Sequence, residues 1–299
     1  MTWPFTLPEA LKLKGPFGWG LASLVCFIVF LFLTFPYGPL QNRLLTELNR
    51  SSGWEVRAAD WSVGFPVAIE WRDVVFTGPT IATIPVAAVR TTFGVFQAFV
   101  GRLVIDYAIQ LPSVAQGGTG RATGSLTAAS WSLEGPVAVN GHLQQIDLAI
   151  LLKPYVSRGT VQGDFMHRWN NAQGTNDALT GEGSVKVEIK DLVLERIVSG
   201  AVSIPSLTFG LIQGALACRD ATCDLTELKG DGVDGSFAAQ GRVTLRQPLQ
   251  QSLLDLTVTV VPGAGFAQKS ASLSLPPFQP GTPLTFKLVG PIMNARVAL

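Results

Sequence analysis

The stretch Trp61-Ser-Val-Gly-Phe-Pro-Val-Ala-Ile-Glu-Trp71 decides the fold class. Trp61, Val63, Phe65, Val67, Ile69 and Trp71 alternate with Ser62, Gly64, Pro66, Ala68 and Glu70. Successive side chains of a strand point to opposite faces, so a period of two marks a strand with one buried face. Pro66 places that strand at a sheet edge or a bulge, because proline cannot donate to the ladder.

The same period recurs on either side. Leu103, Ile105, Tyr107 and Ile109 alternate with Arg102, Asp106 and Gln110, and Val185, Val187 and Ile189 alternate with Lys186, Glu188 and Lys190. Val137–Leu143, Gly241–Leu245, Leu256–Val260 and Leu284–Val289 are further strands between Gly- and Pro-rich turns. Val193–Val198 and Ser206–Leu216 read as short helices, and Gly159–Gly183, rich in Gly, Asn and Gln, as an irregular loop. Many short strands without a strict repeat define a mainly β fold with a few short helices.

Before this region the pattern is different. Phe17 to Phe35 is about nineteen residues without a charge, which at 1.5 Å per residue nearly matches a hydrocarbon core of about 30 Å. The segment predicts a transmembrane helix whose anchoring side chains include Phe17, Trp19, Leu24, Phe27, Phe30 and Phe35. It runs into Thr34-Phe35-Pro36-Tyr37 rather than the small residues of a cleavage site, so it reads as an uncleaved anchor in the lipid bilayer. Lys12 and Lys14 precede it, and the positive-inside bias puts residues 1–16 in the cytoplasm. Over residues 36–53, Leu40, Leu44, Leu45 and Leu48 at helical spacing form a membrane-proximal amphipathic helix that either caps the following sheet or lies on headgroups. Residues 54–299 then form the β-rich domain on the far side of the membrane.

Composition narrows the function. Only 14% of the 299 residues are charged and the net charge is +1, with Lys and Arg scattered, so nothing gathers nucleic acid. Two isolated histidines, His142 and His167, and no elbow, phosphate-loop or zincin motif argue against an enzyme, a cofactor or a bound metal. The carboxylates Asp231 and Asp234 lie in Gly230-Asp-Gly-Val-Asp-Gly235, a composition that serves tight turns. Cys218 and Cys223 bracket four residues and fit a hairpin disulfide in an oxidising compartment; the alternative is two unpaired core thiols.

The order of features resembles a known family. The span ending in Leu33-Thr-Phe-Pro-Tyr37, the Leu-rich helix, Trp54-Glu-Val-Arg57, Val63-Gly-Phe-Pro66 and Trp71-Arg-Asp-Val-Val-Phe76 are similar to the type II secretion system protein N family. Gly181–Val187, Ile204–Phe209, Leu228–Asp231 and Gly241–Leu249 extend the likeness over most of the chain. The resemblance implies a single-pass component of a bacterial inner membrane whose periplasmic β-rich part contacts other secretion-system subunits. The opening after the span also resembles AsmA-like envelope proteins. That resemblance implies a strongly curved antiparallel sheet whose apolar groove, lined by Phe65, Ile69, Trp71, Leu103, Ile105 and Tyr107, takes phospholipid or other acyl chains.

Overall fold

The computed structural model describes residues 55–64, 68–78, 83–94, 97, 100–112, 119–130, 134–171, 181–199, 202–246, 251–270 and 279–298, together with Ser23, Cys26, Phe30 and Thr46. Two compact units divide the chain, Met1–Gly53 and Trp54–Leu299. The strands of the second unit are β1 (Glu55–Gly64), β2 (Ala68–Thr77), β3 (Ile84–Phe93), β4 (Leu103–Leu111), β5 (Gly120–Ala128), β6 (Gly135–Asp147), β7 (Val156–Asn171) and β8 (Glu182–Leu194). They continue as β9 (Ile197–Ser199), β10 (Val202–Ile204), β11 (Leu207–Arg219), β12 (Thr222–Gly232), β13 (Gly235–Thr244), β14 (Leu253–Pro262), β15 (Leu284–Pro291) and β16 (Arg296–Ala298). Two helices interrupt them, α1 (Leu148–Leu151) and α2 (Ala264–Ser270).

Fourteen strands form one antiparallel sheet in sequence order, broken only by the small β9–β10 hairpin between β8 and β11. Each strand therefore pairs with its predecessor and its successor, which short turns permit. β1 and β16 have one neighbour each, so the sheet is open. Its largest buried cluster joins Leu111, Ala122, Ile146, Leu148, Val161, Leu192 and Ile212 at one end of the strands. α1 is a single turn pressed into that end, with Leu148, Ala149 and Ile150 buried. Asp147 caps it, its side chain accepting from the Ala149 N–H at 2.9 Å.

Four expectations require correction. The run Trp61–Trp71 is two strands rather than one: β1 ends at Gly64, β2 starts at Ala68 antiparallel to it, and Trp61 stands opposite Trp71. Directly opposed residues share a face, so the hairpin preserves the alternation that suggested a single strand. Val193–Val198 is not a helix but the end of β8 and the start of β9, and Ser206–Leu216 falls largely in β11. Gly159–Gly183 is not wholly a loop, since β7 runs to Asn171 and β8 begins at Glu182.

The predicted span over 17–35 and the helix over 36–53 lie outside the described residues, apart from Ser23, Cys26, Phe30 and Thr46, which are helical and exposed. Among the described residues no helix is long and apolar enough to cross a membrane.

The apolar face as candidate functional site

Register turns the alternation of single strands into a surface. Trp61 is opposite Trp71, Trp71 opposite Val89, Val89 opposite Ile109, Ile109 opposite Ala122, and Ala122 opposite Leu143. The same row continues through Gly163, Val187, Gly214, Leu228, Ala239, Val258 and Phe286 without one polar side chain from β1 to β15. The adjacent row on the other face reads Glu70, Arg90, Ala108, Thr123, His142, Asp164, Lys186, Ala215 and Glu227. One face is thus predominantly apolar, with Thr91 and His167 in the neighbouring rows, and the other carries cross-strand charge pairs.

The apolar face holds the groove residues anticipated from sequence. Ile69 and Leu103 are buried, while Trp71, Ile105 and Tyr107 stay half-buried. Phe65, like Phe17, Trp19, Leu24, Phe27 and Phe35, lies outside the described residues, and Phe30 is 63% exposed. Leu103 packs with Ala128 and Val137, with Ile105, Leu126 and Trp169 against them, at the end of the strands away from α1. Val89 and Phe165 belong to the same face and were not singled out from sequence; only register reveals them.

Aromatic rings pave the middle of this face. Tyr107 lies across Gly124 of β5 and donates its hydroxyl to the Asn140 carbonyl of β6 at 2.8 Å. Phe165 lies over Gly141, which is directly opposite Gly124. Glycine suits both places because a Cβ would meet the Phe165 ring at Gly141, and the Asn140 carbonyl and then the Tyr107 hydroxyl at Gly124. Burial pushes the Tyr107 phenol above its usual range. The indole nitrogens of Trp71 and Trp169 are buried without a hydrogen-bond partner among the described residues.

The remaining candidates have structural places. Cys218 and Cys223 are paired across β11 and β12 and form a disulfide. Asp231 lies near the end of β12, and Asp234 sits in the two-residue connection to β13 with its side chain 1% exposed. Asp234 Oδ2 accepts from Lys269 Nζ of α2 and from the Thr208 N–H, both at 2.6 Å, so this carboxylate ties a helix and β11 to a turn. Asp231 pairs instead with Leu211 and Ser236 in the ladder, and the two carboxylates do not form a shared site. Among the described residues no group of His, Cys, Asp and Glu is arranged to hold a metal.

Comparison of the chain with family models, with curated proteins and with solved structures gives no match in any of the three. The class is therefore defined by the molecule's own geometry: a mainly β protein built on one open antiparallel sheet with one predominantly apolar face.

Proposed function

We propose that the protein is an inner-membrane-anchored, periplasmic component of the type II secretion system that contributes to protein export through assembly contacts. The observation that carries this reading is the open sheet. β1 offers a ten-residue edge with a single neighbour, where a strand of another subunit can add by main-chain hydrogen bonds. Glu55, Arg57 and Asp60 place charges along that edge, which discourages indiscriminate pairing and selects a partner of matching charge order. The uncharged stretch 17–35 supplies the anchor, with the N-terminus in the cytoplasm.

A second reading, an AsmA-like protein that binds or transfers lipid, is favoured by a separate observation. The apolar face is only half-buried at Trp71, Ile105 and Tyr107, and two indole N–H groups under it lack partners. A polar headgroup or ester oxygen would satisfy such donors while its chains cover the face. Strong curvature of the sheet belongs to both readings. The burial of Ile146, Val161 and Ile212 together with Leu148 of α1 fits a sheet that curls toward its apolar side at this end.

Chemical crosslinking in native membranes, followed by purification in mild detergent and mass spectrometry of crosslinked proteins and co-purified lipids, tests both. The expected result is secretion-system subunits without stoichiometric lipid. Bound lipid without those subunits overturns the first reading in favour of the second.

A further inference from the structure

A cleft of about 790 Å³ opens on the polar face rather than the apolar one. Its floor is the backbone of the row Leu143, Gly163, Val187 and Gly214, and it crosses β6, β7, β8, β11 and β12 at right angles to the strands. Five strands spaced by about 4.8 Å make that floor about 19 Å long.

Two β-bulges bracket the cleft. On β6 both Gln144 and Gln145 face the single Gln162 of β7, because the pairing steps from Leu143–Gly163 to Ile146–Val161. Gln145 takes a φ of 48°, a conformation uncommon for a residue with a side chain. On β12 the pairing slips between Leu225 and Leu228, which swings Glu227 to the opposite end. Bulges increase local twist and re-aim side chains, so the two of them raise the walls of the hollow between them.

One wall of the hollow is already organised. Glu188 is half-buried and accepts from Gln162 Nε2 at 2.8 Å and from Gln213 Nε2 at 3.3 Å, with Lys190 Nζ at 3.0 Å. The hydrogen bonds from Lys190 and Gln213 hold its carboxyl below the usual glutamate range despite the opposing effect of desolvation. The facing wall is the ladder His142, Asp164, Lys186, in which His142 Nδ1 and Asp164 Oδ1 are 2.6 Å apart.

We propose that this cleft binds a neutral oligosaccharide. Amide side chains offer a donor and an acceptor on one rigid plane, as hydroxyl groups do, and Gln144, Gln145, Gln162 and Gln213 line the cleft beside carboxylates that accept hydroxyl protons. Phosphate-rich ligands are not drawn in, because Asp164, Glu188 and Glu227 offset Lys186 in the lining and Lys190 and Lys229, which pair with Glu188 and Glu227, so the cleft has no positive excess. Acyl chains would strand these polar groups without water. Nucleobases would find no Phe, Tyr or Trp platform, and the one ring in the lining, His142, is tied to Asp164 at 2.6 Å. A peptide strand has no edge to join, because all five strands already pair on both sides. This inference does not rest on either proposed function.

The test is calorimetric titration of the full-length protein, in a detergent without a sugar headgroup, with a tetramer of β-1,4-linked N-acetylglucosamine as the probe. Saturable binding is expected, weakened about tenfold by Gln162→Ala with Gln213→Ala. The independent variant Ala215→Trp, which fills the cleft without removing a hydrogen-bonding group, should abolish it. Thermal unfolding of each variant confirms that the fold persists. No saturable binding at about 10 mM probe, or binding unchanged by both variants, overturns the proposal. Inorganic phosphate that binds in the sugar's place overturns it as well.

Discussion

At the scale of the residue, the middle of the sheet depends on rings laid over glycines. A Cβ on Gly141 meets the ring of Phe165 and the hydroxyl of Tyr107, which are ends of side chains, whereas a Cβ on Gly124 runs first into the Asn140 carbonyl, which is backbone. The two glycines look equivalent in sequence and are not equivalent physically. Gly141→Ala is expected to destabilise the protein by about 2 kcal/mol, typical of overpacking a filled site, with Phe165→Ala added to it recovering part of the loss. Gly124→Ala should cost more and should not be rescued by Tyr107→Phe, because removing the hydroxyl leaves the carbonyl where it is. Urea unfolding of the single and double variants measures both. Equal rescue at the two positions would contradict the distinction.

At the scale of the element, three strands change their exposed side partway along, and each change is made by a left-handed residue. Asp73 in β2, Gln145 in β6 and Asp191 in β8 have φ of 49°, 48° and 51°. Before Asp73 the apolar positions are Ile69 and Trp71, and after it Val74 and Phe76; likewise Ile189 precedes Asp191 and Leu192 follows it. The buried residues Ile146 and Leu192 next to the last two kinks belong to the cluster that closes the α1 end of the sheet. Aspartate tolerates this conformation better than most residues, and β-branched ones tolerate it least. Asp191→Val should therefore cost about 2 kcal/mol while Asp191→Gly stays within about 0.5 kcal/mol, read from the midpoint of thermal unfolding. A Val variant as stable as the Gly variant would refute the strain. These kinks also explain what could be read in advance. Strands with an undisturbed period of two, such as Leu103–Ile109 and Leu256–Val260, were legible from sequence alone. β11 was not: Phe209, Ile212 and Leu216 recur at three and four residues because Gly210 stands opposite Asp191, and that spacing imitates a helix. Ile69, Trp71, Ile105 and Tyr107 were legible as members of one face because cross-strand register keeps their parity, whereas the polar cleft takes its side chains from five separate strands and has no local signature.

At the scale of the whole molecule, a sheet with one apolar face and two free edges has two surfaces on which a partner can act, and they are separable. Edge recognition uses the main chain of β1 and the charges beside it, so Arg57→Glu combined with Asp60→Lys inverts two of its three charges; both residues are exposed. That pair of changes should cost little stability, as surface substitutions usually do. Face recognition uses apolar area, so Ile105→Glu, which places a charge among Leu103, Leu126 and Trp169, should repel acyl chains at a folding cost of about 2 kcal/mol. If assembly runs through the edge, the β1 variant loses most of its crosslinks to secretion-system subunits and the Ile105 variant keeps them. Lipid handling by the face reverses the pattern: Ile105→Glu loses co-purified lipid while the β1 variant retains it. The two variants are to be compared in the same membranes by quantitative mass spectrometry, after thermal unfolding has shown a cooperative transition for each. Crosslinks that survive the change of the β1 charges would remove this edge from the assembly mechanism, because β1 is the one described strand of the sheet with an unpaired side along ten residues, whereas β15 and β3 leave only three or four residues free.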